Sequence, residues 1–191
     1  MSIKTKLMTA AAVLALSTGS AFAESHMSAD GNPMVGGAEM FPTKTIAENA
    51  SAAENLTTLV AAVQAAGLVE TLSGEGPFTV FAPTNDAFAK LNQDQVAELL
   101  KPENQPALAE ILTCHVVAAD AMSDAIMGMI ADDNGEHAVP TVGGCTLMAK
   151  MDGDMITLTD ERGQVATVTQ ADVKQSNGVV HIIDTVMLPA E

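Results

Sequence analysis

Apolar residues recur at helical spacing in the first half of the chain. Leu56, Leu59 and Val63 follow the i, i+3, i+7 pattern of an amphipathic helix. Ser51-Ala52-Ala53-Glu54 matches a capping box, in which a Ser side chain accepts from the N3 amide and the Glu reaches back to the cap. Gly67 suits the left-handed position that ends many helices. These two signals bound the first helix that we predict.

Shorter elements are predicted from residue 84 to residue 130. Thr84 is placed to cap a helix, and Pro102 separates the next two helical faces. Ser123 is placed to cap a further helix over residues 124–130, since Ser and Thr oxygens accept the first free helical amides. Between these helices, we predict a strand over residues 113–117.

After Val139 the sequence pattern becomes typical of β-strands separated by turns. Gly-containing dipeptides, which supply the positive φ angles of hairpin turns, separate the predicted strands at Gly143-Gly144, Asp152-Gly153, Arg162-Gly163 and Asn177-Gly178. The predicted strands cover residues 139–142, 145–150, 155–159, 164–169 and 179–188. Helices cluster in the first half and strands in the second, so we predict the α+β class.

A short strand over residues 78–81 is predicted to share one folded core with the last apolar strand. Pro83 ends the first strand, and Asp184 lies on an otherwise apolar face of the last one. A buried carboxylate needs hydrogen-bond donors. We therefore expect Asp184 to accept hydrogen bonds from the Thr84-Asn85 turn.

The N-terminus has the features of a secretory signal peptide. Lys4 and Lys6 precede an apolar stretch over residues 7–16, and Ala21-Phe22-Ala23 is an A-x-A cleavage site. The apolar stretch is shorter than the roughly 20 residues that span a bilayer. We expect a signal peptide over residues 1–23, cleavage near Ala23, and release to the periplasm or the medium.

The remaining chain divides into an arm and one domain. Residues 24–40 are small and polar, which predicts a flexible N-terminal arm. Residues 41–191 are long enough for one domain with a hydrophobic core. We see no later segment that would make the protein an integral membrane protein.

Charge and aromatic content exclude a nucleic-acid-binding surface. The formal net charge is −16, and the chain has no Trp or Tyr. An acidic surface repels phosphates, and base stacking requires aromatic side chains. The same acidity permits weak binding of divalent cations.

The chain has two cysteines, Cys114 and Cys145. Export permits a disulfide, but spacing alone does not establish the Cα approach that a bridge requires. A disulfide and two buried free thiols both remain open.

Three segments resemble the fasciclin (FAS1) domain family. Residues 76–88 resemble its first signature block, and residues 177–184 resemble its second. Residues 112–117 are similar to its Tyr-His segment, with Cys114 in place of Tyr. The resemblance covers residues 45–189. The residues that it marks as a structural signature are Phe78, Phe81, Pro83, Thr84, Asn85, Phe88, Asn177, Gly178, His181 and Asp184.

The resemblance implies a fold and a kind of function. The expected fold is a β-wedge or sandwich of about seven strands with several short helices. The expected function is adhesion, matrix association or partner binding outside the cell, without catalysis or a cofactor. Cell-surface or extracellular-matrix components, protein or glycan, are the implied partners.

Three residues are candidates for partner contact. In animal matrix members of the family, an Asp-Ile pair before the second block is linked to integrin binding. Asp172-Val173 occupies that place here, and the alternative is a structural role for Asp172 in a turn or a helix cap. His115, in the Tyr-His segment, is the third candidate, and its alternative is a buried histidine bonded to backbone.

Motifs for catalysis and tight metal binding are not found. The sequence has no G-x-S-x-G, H-E-x-x-H or C-x-x-C, and we nominate no catalytic or metal-ligating residue. Two further functions stay open. One is a carrier of a small apolar ligand such as a carotenoid or lipid, because Met suits adaptable apolar pockets. The other is copper binding by His26, Met27, Met34 and Met40 on the arm, because thioethers select Cu(I).

Overall fold

A computed structural model describes residues 31–190, apart from the side chains of Gln93 and Gln95. The predicted signal peptide, residues 1–23, lies outside the described residues, as do residues 24–30. The described α-helices are short and occupy Ile46–Ala50 (α1), Thr57–Ala65 (α2), Val69–Ser73 (α3), Asn85–Ala89 (α4), Gln93–Leu99 (α5), Gln105–Thr113 (α6) and Ser123–Asp132 (α7). Short 3-10 turns precede α2 and α6 at Glu54–Leu56 and Pro102–Asn104.

The strands form a small hairpin and one seven-stranded sheet. They occupy Met34–Val35 (β1), Ala38–Glu39 (β2), Phe78–Pro83 (β3), Val116–Val117 (β4), Glu136–Pro140 (β5), Thr146–Asp152 (β6), Met155–Thr159 (β7), Val165–Gln175 (β8) and Gly178–Ile183 (β9). The hairpin pairs β1 with β2, and the sheet has the order β4-β3-β9-β8-β7-β6-β5. The prediction of an α+β fold with about seven strands and several short helices is confirmed.

The long strand β8 joins the two halves of the sheet. Its first residues pair with β7, as in Thr157↔Thr167, and its remaining residues pair with β9. The register shifts between Val168 and Gln170 and again between Gln170 and Val173. Such bulges bend a strand and increase its twist. Strand β8 therefore bends between the half of the sheet that contains β9 and the half that contains β7.

Two hydrophobic cores lie on opposite faces of the sheet. The helix-side core lies under α1, α2, α3 and α6 and includes Ile46, Leu56, Leu59, Leu72, Leu112, Val80, Val180 and Ile182. The strand-side core lies between α7 and the hairpins and includes Phe81, Ile126, Ile130, Leu147, Leu158, Ala166 and Ile183. Alternate residues of β3 and β9 enter alternate cores, as the period of two in a strand requires.

Several predicted helix ends are confirmed, and one is wrong. Thr84 accepts from the Ala87 amide at 3.3 Å, and Gly67 follows α2 with φ +71°. The capping box, however, lies at Thr45 and Glu48, where each side chain accepts the other's backbone amide. Ser51 instead closes α1. Both segments fit the same four-residue pattern, and the sequence alone did not separate them.

The strand predicted over residues 113–117 is shorter than expected, because α6 ends at Thr113 and a turn follows at residues 114–115. Helix α6 continues through Thr113, whose hydroxyl donates to the Ala109 carbonyl at 2.7 Å, a bond that a Thr can make inside a helix. Only Val116–Val117 pairs as a strand. Ser123 is also not the cap of α7, since Met122 occupies the cap position.

The hairpin lies in the segment predicted to be a flexible arm. Gly36 and Gly37 turn the chain with φ of +55° and +80°. Val35 and Met40 flank this turn, are each 2% exposed, and belong to the helix-side core. The prediction of an arm is therefore wrong for residues 34–40, because two buried apolar residues anchor them.

The last strand ends earlier than predicted. Strand β9 stops at Ile183, and side chains hold the backbone of residues 187–190. The bonds are from Met187 N to His115 Nε2 at 3.0 Å, from Leu188 N to Asp160 Oδ2 at 2.8 Å, from Arg162 Nε to Pro189 O at 2.7 Å, and from Ala190 N to Glu161 Oε2 at 2.9 Å. We call residues 187–190 the C-terminal segment.

Candidate functional site

The two signature blocks lie side by side at the centre of the sheet. Strands β3 and β9 pair in parallel from Phe78↔Gly178 to Pro83↔Ile183. The prediction that these blocks share one folded core is confirmed. Their parallel pairing was not predicted, because the strands lie far apart in the sequence and carry no mark of direction.

Asn177 ties this junction to the helices. Its Oδ1 accepts from Ile46 N at 3.0 Å, and its Nδ2 donates to the carbonyls of Leu72 and Gly74 at 2.8 and 2.9 Å. A Cβ on Gly76 would collide with the backbone carbonyl of Asn177. The side chain is 9% exposed, so its partners are structural.

Asn85 makes a second tie, between α4 and the start of α2. Its Oδ1 accepts from Thr58 N at 3.0 Å, and its Nδ2 donates to Glu54 O at 2.9 Å. Thr84 caps the same helix, and Phe88 packs into the helix-side core. The first signature block therefore positions the helical layer over the sheet.

Asp184 has partners other than those we predicted. Its Oδ1 accepts from Thr167 N at 2.8 Å, and its Oδ2 pairs with Lys90 Nζ at 3.1 Å. Only backbone joins this region to the predicted turn, through Thr84 N and Ile183 O at 3.2 Å. Partial burial raises the pKa of Asp184, but the hydrogen bonds from Thr167 and Lys90 outweigh it and hold the pKa below its ordinary value.

His115 is an internal residue. It is 2% exposed, its Nδ1 lies 2.8 Å from Ile111 O, and its Nε2 accepts from Met187 N. The neutral ring with its proton on Nδ1 satisfies both contacts. Burial lowers the pKa of His115 from 6.5 to about 4, since desolvation disfavours the charged form.

His181 is buried in the same way on β9. It is fully buried, its Nε2 lies 2.8 Å from Ala121 O, and its ring lies against Phe81 with centroids 5.6 Å apart. Burial lowers the pKa of His181 as well. Both histidines therefore contact backbone atoms through their ring nitrogens, as the alternative interpretation of His115 proposed.

The three candidates for partner contact do not form an exposed site. His115 and Val173 are 2% and 1% exposed, so a partner cannot touch them in this fold. The Asp172 carboxylate accepts from Ser123 N at 2.7 Å and also from the Ser123 hydroxyl. Asp172 thereby caps α7 from the neighbouring strand, which corrects our assignment of these residues to partner contact.

Cys114 and Cys145 form a disulfide, with their Cα atoms 5.3 Å apart. The bridge joins the end of α6 to the turn before β6, so it links the helical half of the chain to the strand half. It resolves the alternative that the sequence left open and leaves Cys114 without a thiol.

No candidate metal centre emerges from the described part of the chain. Among residues 31–190, no group of three or more His, Cys, Asp or Glu side chains is arranged to hold an ion. His26 and Met27 lie outside the described residues, while Met40 is buried in the core. None of the helices between residues 31 and 190 has both the length and the apolarity that crossing a bilayer requires.

A cavity of about 290 Å³ lies between the helices and the sheet. We call it the helix–sheet cavity. Helices α1 to α3 line it with Ile46, Leu59, Val63 and Leu72; β3 and β9 line it with Val80, Ala82, Val180 and Ile182; and the hairpin side adds Val35 and Met40. Its inner walls are therefore almost entirely aliphatic.

The polar residues of this cavity lie mainly at its rim. Glu48, Ser51, Gln64 and Ser73 line it and are exposed to solvent, next to the 38% exposed Val69. An apolar interior with a few polar groups at one end is the common form of a small-molecule site. Sequence reasoning missed this site because its walls come from separate helices and strands.

The described fold is shared with a solved FAS1 structure. A FAS1 domain pair from the insect cell adhesion molecule Fasciclin I matches with a TM-score of 0.54 and 28% sequence identity. The match covers 66% of this chain and 42% of that chain.

Sequence comparisons give the same relationship. Protein sll1483 of Synechocystis sp. is 47% identical over 149 residues, which cover 76% of this chain and 73% of that protein. Transforming growth factor-beta-induced protein ig-h3 of Sus scrofa is 35% identical over 148 residues, covering 78% of this chain and 20% of that protein. The family model of the Fasciclin domain matches residues 54–189, and the chain belongs to this family.

Proposed function

We propose that the protein is a secreted, non-enzymatic adhesion module that associates with cell-surface or extracellular-matrix components, protein or glycan. The observation that carries this proposal is the fold shared with the FAS1 pair of Fasciclin I, an insect cell adhesion molecule. The signature residues support it, since Asn85, Asn177 and His181 bind the protein's own backbone. Their roles are architectural and leave the surface free for contacts.

The acidic exterior suggests how such contacts form. The chain has 24 Asp and Glu residues against 8 Lys and Arg. Such a surface attracts cationic groups and repels nucleic acids and anionic lipids. Divalent cations that bridge it to other acidic surfaces are the partners that this charge favours.

An attachment assay tests the proposal. Beads coated with the purified protein should capture cells of the producing organism in millimolar calcium, and a chelator should release them. The matched control is Gly76→Val, which keeps the charge while placing side-chain atoms against the carbonyl of Asn177. Equal capture by both proteins, or none by either, would contradict adhesion by the folded domain.

The predicted secretion has a separate test. The protein recovered from the periplasm or medium should have the mass of a chain that begins at Glu24. A cytoplasmic protein that retains residues 1–23 would contradict secretion.

Carriage of a small apolar ligand is a second candidate function. The helix–sheet cavity favours it, since aliphatic walls on a volume of about 290 Å³ match sites that bind through apolar contact. Protein purified from its native source should carry a bound small molecule, visible in native mass spectra. A ligand-free native protein that also fails to bind apolar probes would contradict this function.

A further inference from the structure

The lining of the helix–sheet cavity contains one charged side chain. The nearby Lys44 lies outside this lining, with its Nζ over the Phe41 ring. Of the residues that line this cavity, Glu48 is the only one with a charged side chain at neutral pH. The Thr45 amide and hydroxyl lower the pKa of Glu48 by hydrogen bonding, so its carboxylate is ionised at neutral pH. The other exposed polar liners, Ser51, Gln64 and Ser73, are neutral.

The interior offers little to a polar group. His115 and Gln175 are the buried polar residues that line it. Both ring nitrogens of His115 are already in use, and the Gln175 oxygen accepts from Asn49. A ligand therefore places its apolar part inside and its polar end at the rim.

The volume limits the size of the apolar part. At about 30 Å³ for each heavy atom, close to the volume of a water molecule in the liquid, a cavity of about 290 Å³ holds on the order of ten heavy atoms. An eight-carbon chain with a small head group is within this limit.

We propose that this cavity binds single-chain apolar molecules that end in a hydrogen-bond donor, a hydroxyl or an ammonium group, and disfavours the corresponding carboxylates. The proposal rests on the ligand-carrying function above and adds its selectivity. The Glu48 carboxylate accepts from the donor at the rim. A ligand carboxylate there would meet a like charge, which costs several-fold in affinity even in water.

Calorimetric titration with 1-octanol, octylamine and octanoate tests this selectivity. The three probes share one chain and differ in the head group. We expect saturable binding of octanol and octylamine at one molecule per protein, with octanoate about fivefold weaker than octanol. Equal affinities for octanol and octanoate, or tighter octanoate, would overturn the selectivity while leaving ligand carriage in place.

Glu48→Gln isolates the charge at the rim. Gln also satisfies a capping box, so α1 should persist. The variant should bring the affinities for octanol and octanoate to within about twofold, since the like charge is gone. The control is Glu103→Gln, which removes an exposed charge outside the lining and should keep the wild-type ratio. A ratio unchanged in Glu48→Gln would overturn the role of this carboxylate.

Filling the cavity separates binding at this site from binding elsewhere. Val60 lines the cavity from α2, while the neighbouring Ala61 is exposed and does not line it. Val60→Phe should abolish octanol binding and Ala61→Phe should retain it. If Val60→Phe fails to fold, Val69→Phe at the rim replaces it. Octanol binding that persists in the variant with a filled cavity would overturn the assignment of binding to this site. If the wild type bound none of the probes, both this inference and the proposed ligand carriage would be overturned.

Discussion

The two cores differ in how they are covered. Helices α1, α2 and α3, of five, nine and five residues, lie over the helix-side core, and the helix–sheet cavity lies beneath them. Hairpins β5 to β8 and the ten-residue α7 enclose the strand-side core. Each short helix presents only a few inward side chains, so gaps between helices are left over the sheet. Strand pairing fixes side chains at regular intervals and fills such gaps more evenly.

This difference assigns separate roles to the two faces. Strands β3 and β9 contribute to both cores, with Val80 and Val180 on one side and Phe81 and Ile183 on the other. The sheet and strand-side core form the scaffold. The helix side contains the cavity in which we propose that a ligand binds.

Disrupting the parallel pairing of β3 and β9, which contribute to both cores, should have the largest effect on stability. Gly76→Ala places a Cβ against the Asn177 carbonyl and separates β3 from β9, so we expect a loss of about 4 kcal/mol or more in unfolding free energy. Urea denaturation measures it. The control Gly128→Ala lies in α7 with open space at the new Cβ and should stabilise by about 0.5–1 kcal/mol. A mild effect of Gly76→Ala would mean that the junction tolerates separation.

A matched pair of truncations should separate the two cores. Leu158→Ala removes a fully buried side chain of the strand-side core, and we expect a cost of about 4 kcal/mol. Leu59→Ala lies beside the helix–sheet cavity, where contacts are already missing on one side, and we expect about 2 kcal/mol. Chemical denaturation of both variants checks the difference. Equal costs would show that the two cores are packed alike.

Because His115 is buried in its neutral form, we expect the protein to lose stability as the pH falls. Because the pKa of His115 is about 4 when folded and 6.5 ordinarily, the unfolded state binds the additional proton between these values. Stability is then complete above pH 6.5 and falls as the pH drops toward 4, by about 2 kcal/mol between pH 7 and 4.5. His115→Gln should reduce the measured pH dependence by this amount. An identical pH profile in the variant would contradict the buried neutral ring.

The smallest effects belong to the ion pair at the end of β9. Lys90→Met removes an exposed partner of Asp184 and should cost under about 0.5 kcal/mol. Asp184→Ala also leaves Thr167 N without its acceptor and should cost about 1–2 kcal/mol. Thermal unfolding of both variants would rank them. Equal losses would place the main role of Asp184 in the ion pair.

Local signals predicted the elements that depend on nearby residues. Thr84 caps its helix as expected, because the accepting oxygen and the donating amide are three residues apart. The alternation of Val180, Ile182 and Ile183 between the two faces also followed from strand geometry. The fold class and the shared core of the two signature blocks could be predicted from these patterns and the family resemblance.

Features set by distant residues could not be predicted in the same way. Asp184 has Thr167 as its donor because β8 and β9 lie in a register that bulges decide. Asp172 caps α7 across the fold, which no local spacing reveals. The cavity has no sequence signal at all, since it is the volume that α1–α3 and the sheet leave between them. The Gly-Gly turn between Val35 and Met40 and the capping box at Thr45 and Glu48 are missed features with a visible local sign.

The order of the sheet has a consequence for biosynthesis. The final strand of the chain, β9, lies in the interior of the sheet, between β3 and β8. A polypeptide that emerges N-terminus first from a ribosome or a translocation pore therefore cannot complete its central ladder until residues 178–183 have emerged. Removal of residues 180–191 would leave β3 and β8 without most of the strand that lies between them.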